Sequence, residues 1–320
     1  MVSELSPGAS NSPSPLHDGM SPFQRRVQWI IFGPNGFRAG WRLLIAITLF
    51  LVFLIGLQTG LVRVPAIHAW LHGRAKGAAT PGLILFSEGI SVLSLVLSVF
   101  IMALIEKRSF AQYGLPGGEA FGKRFWQGIP CGFVMVTLLM AVIGALHGFS
   151  IEGLALHGGA VAKYAFLYLL AFILVAIFEE FSFRGYLQST LASGIGFWPA
   201  AILLAVAFGA VHLGNAGEAK VGAMMAGSFG LLEAFTLSRT GNLWFPIGMH
   251  TAWDWGETYF YAVPDSGMMA NGHLMNSSFH GPNWLTGGTV GPEGSLLVFP
   301  VLLLWAVIIH FMFPARRANS

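Results

Sequence analysis

The sequence predicts an all-α fold: a polytopic membrane helical bundle of about eight transmembrane helices. Three observations carry this reading. Of the 320 residues, 55% are hydrophobic, only 10% are charged, and apolar stretches of spanning length recur along most of the chain. Soluble domains carry about a quarter charged residues. A chain this poor in charge has too little polar surface to remain dispersed in water, so the bilayer is the expected solvent.

Taken in order, residues 1–24 are rich in Ser, Pro and Gly and lack an apolar core. They read as a disordered cytoplasmic tail, and they lack the basic-then-apolar pattern of a signal peptide. Residues 25–320 read as one membrane domain, entered by a short amphipathic stretch at 27–32. Spanning helices need about 20 mostly apolar residues. The expected spans are 43–62, 82–105, 126–148, 163–189, 197–213, 221–238, 243–262 and 295–314. The stretch 263–294 holds Gly, Asn, Ser and His with no Lys or Arg, and reads as a long exposed loop.

Eight spans put both termini on one side. That side carries eleven Lys and Arg, including Arg25, Arg26, Lys123, Arg124, Arg316 and Arg317. The other carries five: Arg63, Arg74, Lys76, Lys163 and Lys220. The positive-inside rule then makes both termini cytoplasmic, with a bacterial inner membrane the expected location. The single Cys131 excludes an intrachain disulfide. Basic residues fall in pairs near helix ends, which is no nucleic-acid footprint.

The chemistry lies in charges held within apolar spans, which are costly and by default functional. Glu179 and Glu180 follow an uncharged apolar run, and Arg184 comes one turn later. Glu180 and Arg184 are at i,i+4 with the acid first, the favourable orientation for a helix ion pair. Glu179 points about 100° away and is free to act as a general base or acid. The plain alternative is a helix end at the interface with a snorkelling arginine.

His212 closes the run LAVAFGAVH; a lone histidine there is often only a hydrogen-bonding residue. His250 and Asp254 share one helix face at i,i+4. Such a pair can position an imidazole, bind a metal, or simply tie two helices together. Glu257, one turn further, reads as marking the water interface. Glu88 and Glu233 each sit alone in an apolar span and read as structural partners. Signatures of zinc-protease helices, phosphate loops and serine-hydrolase elbows are absent.

The order Glu-Glu-x-x-x-Arg, Phe-x-x-x-His, His-x-x-x-Asp, each on its own predicted helix, resembles the three motifs of the CPBP family. This is the CAAX protease and bacteriocin-processing family, which includes the type II CAAX prenyl endopeptidases. The run FEEFSFRGYLQ is especially similar, and the likeness covers about residues 160–260. The family's third motif commonly ends in Asn, where this chain has Asp254.

The resemblance implies an intramembrane endopeptidase with a core at 160–262. By it, Glu179 activates water, His212 assists as acid or base, His250 and Asp254 stabilise the oxyanion, and Glu180 and Arg184 hold the site together. It also implies a lipidated or membrane-embedded peptide substrate. The family's prenyl endopeptidases act on cytosolic C-termini, so the cavity is expected to open to the cytoplasm.

Glu179, His212 and His250 would also make a three-ligand zinc set, but no histidine has zinc-protease spacing, which favours direct glutamate chemistry. Two rival readings remain. One is a non-catalytic scaffold or bacteriocin-immunity protein of the same family. The other is a proton or ion path, for which the expected inverted repeats are missing.

Overall fold

Each expected span is a helix in the computed structural model, which describes residues 21–33, 36–73, 79–215 and 220–314. Most of the N-terminal tail, with Arg74, Lys76, Arg316 and Arg317, lies outside the described residues. Helix α1 (Pro22–Ile31) begins inside the stretch expected to be disordered. The Ser21 hydroxyl accepts from the Gln24 amide, and the Gln24 side chain accepts from the Ser21 amide. This capping box, with Pro at the first helical position, is a start signal that composition alone obscured.

A two-residue pairing of β1 (Phe32–Gly33) with β2 (Gly36–Phe37) leads into α2 (Ala39–Val62). Short α3 (Pro65–His72) precedes α4 (Pro81–Glu106) and α5 (Lys123–Ala145). Helix α6 (Gly159–Glu180) passes through a π-helical segment, Phe181–Leu187, into α7 (Gln188–Ile195). Gly196 turns the chain at a φ of 86°, a conformation that suits glycine. There follow α8 (Phe197–His212), α9 (Lys220–Thr240) and α10 (Trp244–Trp255), the last prolonged by π-helical Gly256–Tyr261. Short α11 (Asn283–Thr286) and then α12 (Val298–Met312) complete the chain.

Helices α2, α4, α5, the continuous helix 159–195, and α9 are each long and apolar enough to cross a membrane. Helices α8 and α12 are shorter and apolar, and α10 approaches span length only with its π-helical extension. Outer faces match a hydrocarbon solvent. Helix α2 buries only Ala46 and exposes Leu51, Val52 and Ile55. Leu203 and Val206 on α8, and Leu303 on α12, are likewise exposed. In water such surface would drive aggregation; against lipid it carries no such penalty. The chain is a helical membrane protein.

Helix α10 lies at the centre, packed along α5 on one side and α6 on another. Small residues permit the first contact. A Cβ on Gly132 would lie 1.9 Å from the Met249 carbonyl oxygen, and one on Gly248 would lie 2.2 Å from that of Phe125. Backbones meet where side chains are missing, as is common between membrane helices. This contact fixes the height of His250, the residue after Met249.

The stretch 263–294 is not an exposed loop. Strand β4 (Met275–Phe279) pairs antiparallel with β3 (Phe149–Leu154), and Val263, Ala270, Leu285, Val290 and Glu293 are buried. Its small residues, read as solvent-facing, instead let backbone pack on backbone. Gly291, at a φ of 94°, would place a Cβ 2.0 Å from the Pro264 oxygen.

Candidate active site

Two helices deliver their motif residues immediately before a π-helical turn. Glu179 and Glu180 end α6 ahead of Phe181–Leu187, and Asp254 precedes Gly256–Tyr261 by two residues. Such turns widen a helix locally and recur at functional sites.

The adjacent glutamates take different environments. The Glu180 side chain is fully buried, whereas 23% of the Glu179 side-chain surface is exposed. Glu180 Oε1 accepts from Arg184 Nη1 at 3.1 Å and from His250 Nδ1 at 3.0 Å. Arg184 is 3% exposed, so it is no snorkelling residue. Its Nε donates to the Gly230 carbonyl at 3.2 Å, and its guanidinium lies 4.1 Å from the centre of the Phe208 ring. Gly230 has no side chain because a Cβ there would sit 2.1 Å from Arg184 Nη2. Arg184 thus ties α6 to α8 and α9.

A carboxylate oxygen only accepts, so the bond to Glu180 puts a proton on His250 Nδ1. His250 Nε2 then faces two more carboxylates, Asp254 Oδ2 at 3.5 Å and Glu179 Oε2 at 3.6 Å. His212 Nδ1 lies 2.7 Å from the Phe208 carbonyl oxygen. That nitrogen must be the donor, and in the neutral ring Nε2 then holds the lone pair.

Glu179, His212, His250 and Asp254 all line one cavity of about 830 Å³, with Phe208, Met225, Phe229 and Trp253 among its apolar walls. The structure adds members the sequence left aside. Glu88 lines the same cavity, as do Asp265 and Glu293. Isolated acids in apolar surroundings were the available signal for Glu88. Asp265 and Glu293 lay in what read as loop. Burial, then the charge of Glu293, push the Asp265 carboxyl well above its ordinary range, against a lowering hydrogen bond from Thr258. Glu257, expected at the water interface, is fully buried beneath the same segment. Glu233 is buried too; it accepts from Thr236 at 3.1 Å and, among the described residues, forms no ion pair with Arg184 or a histidine.

The cavity mouth bears on orientation. Among its lining residues, Leu71, His72 and Ala79 lie between α2 and α4, Asn215 between α8 and α9, and Met268 and Met269 between α10 and α12. Were all eight stretches to cross, these three connections would share the face opposite the termini.

Residues 160–256, which carry all of these motif residues, match the family model described as type II CAAX prenyl endopeptidase Rce1-like. No curated protein and no solved structure matches the chain. The matched segment spans the three motif helices α6, α8 and α10, and over that segment the chain is similar to the type II CAAX prenyl endopeptidase family.

Proposed function

We propose that this protein is an intramembrane endopeptidase that hydrolyses a peptide bond of a lipidated or membrane-embedded substrate, using water activated by Glu179. The convergence of Glu179, His212, His250 and Asp254 on one apolar-walled cavity carries the reading. A buried polar centre in a greasy chamber suits a scissile bond beside a lipid or apolar segment.

Glu179 takes a proton from water, whose oxygen bonds to the substrate carbonyl carbon. The oxyanion is met by His250, donating at Nε2 in its doubly protonated form, with Asp254 beside the ring holding its charge. Glu180 fixes the ring through Nδ1, and Arg184 keeps Glu180 in place. When the carbon–nitrogen bond breaks, the leaving amine takes the proton from Glu179 or by way of His212.

Zinc fits this centre poorly. Among the described residues, the set of three that gathers ligand atoms within 4.8 Å is Glu257, Asp265 and Glu293, not Glu179, His212 and His250. No step is assigned to a metal. The Lys and Arg bias keeps the termini cytoplasmic, so the mouth opens outward and substrate is approached from the extracytoplasmic face.

The test is cleavage of a fluorogenic peptide with a lipidated C-terminus by the purified chain in detergent. Wild type is expected to cleave, to lose cleavage on Glu179→Gln, and to keep it under a membrane-permeant, zinc-selective chelator. Equal cleavage by wild type and variant would refute the assignment of Glu179. No cleavage by a folded wild type, across substrates presented to either face, would favour a scaffold or immunity role.

A further inference from the structure

Three carboxylates from three segments meet beside the cavity. Glu257 comes from the π-helical end of α10, Asp265 from the connection that follows, and Glu293 from the turn Pro292–Gly294. One oxygen of each lies within 4.8 Å of the others. Glu257 is 0% exposed, and neither of its oxygens has a hydrogen-bond partner. The others are partly satisfied. Glu293 Oε2 accepts from the Ser266 amide at 2.9 Å and hydroxyl at 2.8 Å, and Oε1 accepts from the Trp253 indole at 3.3 Å. Asp265 Oδ2 accepts from Thr258 at 3.2 Å.

Among the described residues, none of the three forms an ion pair with Lys, Arg or His. Gathering three carboxylates, two of them buried, without a counter-charge is strongly unfavourable. A cation at their meeting point removes that cost and occupies the unpartnered oxygens of Glu257.

We propose that Glu257, Asp265 and Glu293 bind a hard divalent cation of the Ca²⁺ type, which pins the 262–294 segment onto the end of α10. An all-oxygen donor set favours Ca²⁺ or Mg²⁺ chemistry over zinc, and an irregular cage of side chains from a folded segment suits the larger ion. The hydrogen bonds from Ser266 and Thr258 orient their carboxylates, as outer partners do in metal sites. The ion holds the segment carrying Met268 and Met269 over the cavity mouth. The site stands whether or not the chain cleaves peptides.

The test is thermal unfolding of the purified full-length chain in detergent, stripped with EGTA and then supplied with millimolar Ca²⁺. Saturation at about a hundred times Kd should raise the wild-type midpoint by about 5 °C. Glu257→Gln should lose most of that rise. In EGTA it should be at least as stable as wild type, because a neutral amide stands where burial disfavours a charged carboxylate. Glu293→Gln serves as a second variant should Glu257→Gln fail to fold. Trp253 lies against Glu293, so Tb³⁺ emission sensitised by indole and displaced by Ca²⁺ gives an independent reading. A wild-type midpoint identical in EGTA and Ca²⁺ would overturn the proposal, as would a full Ca²⁺ response in either variant.

Discussion

Substituting the adjacent glutamates one at a time separates their roles. In Glu180→Gln the fully buried carboxylate loses its charge while Arg184, 3% exposed, keeps its own. Breaking a buried pair costs about 3–5 kcal/mol. The glutamine carbonyl can still accept one of the two bonds, which returns about 1–2 kcal/mol. The net loss is about 1–4 kcal/mol, or a fall of about 2–16 °C in Tm at about 2–4 °C per kcal/mol. Glu179 is different: its side chain faces the cavity, and its nearest ionic partner, His250 Nε2, is 3.6 Å away. Glu179→Gln should change stability by no more than about 0.5 kcal/mol and lower kcat by about 10²–10⁴-fold, the usual contribution of a general base. Thermal unfolding in detergent and peptide cleavage read the two effects. A Glu179→Gln protein that is active but unstable, beside a Glu180→Gln protein that is stable but inert, would show that the assignments are reversed and refute the argument from burial.

Three further outcomes are expected. His212→Asn keeps a side chain able to donate to Phe208, so Tm should hold while kcat/KM falls by about 10²-fold; cleavage at the wild-type rate would remove His212 from the chemistry. Gly132→Ala would put a Cβ 1.9 Å from the Met249 oxygen, pushing α10 off α5. It should cost about 1–3 kcal/mol and lower activity, whereas an unshifted Tm would argue against so close an approach. Met269→Cys, in a Cys131→Ser background, should be labelled from outside intact cells by a membrane-impermeant maleimide, because Met269 is exposed at the cavity mouth. Labelling only after permeabilisation would put the mouth, and with it the substrate, on the cytoplasmic side.

Much of the site was legible because charge in an apolar run is conspicuous. Glu179, Glu180, Arg184, His212, His250 and Asp254 stand out from their surroundings by polarity alone, and i,i+4 spacing already paired Glu180 with Arg184. All eight apolar stretches became helices, since in hydrocarbon a backbone must satisfy its own hydrogen bonds. What the one-dimensional pattern withheld were relations between segments. The second partner of Glu180, His250, lies 70 residues away, and only packing of α10 against α6 and α5 brings it there.

The stretch 263–294 shows the same limit from the other direction. Its glycines, serines and asparagines have the composition of a solvated loop, and composition does not distinguish small residues that face water from small residues that let backbones touch. Pairing of β3 with β4 and the approach of Gly291 to Pro264 decided for the second. That choice buried Glu257 and drew Asp265 and Glu293 to it. The sequence alone determined the solvent of this protein, its helices and the residues proposed to carry its chemistry, because these follow from local polarity and period. Tertiary structure alone decided which carboxylate is buried, which residues line the cavity and which acids meet, because these depend on contacts between residues far apart in the chain.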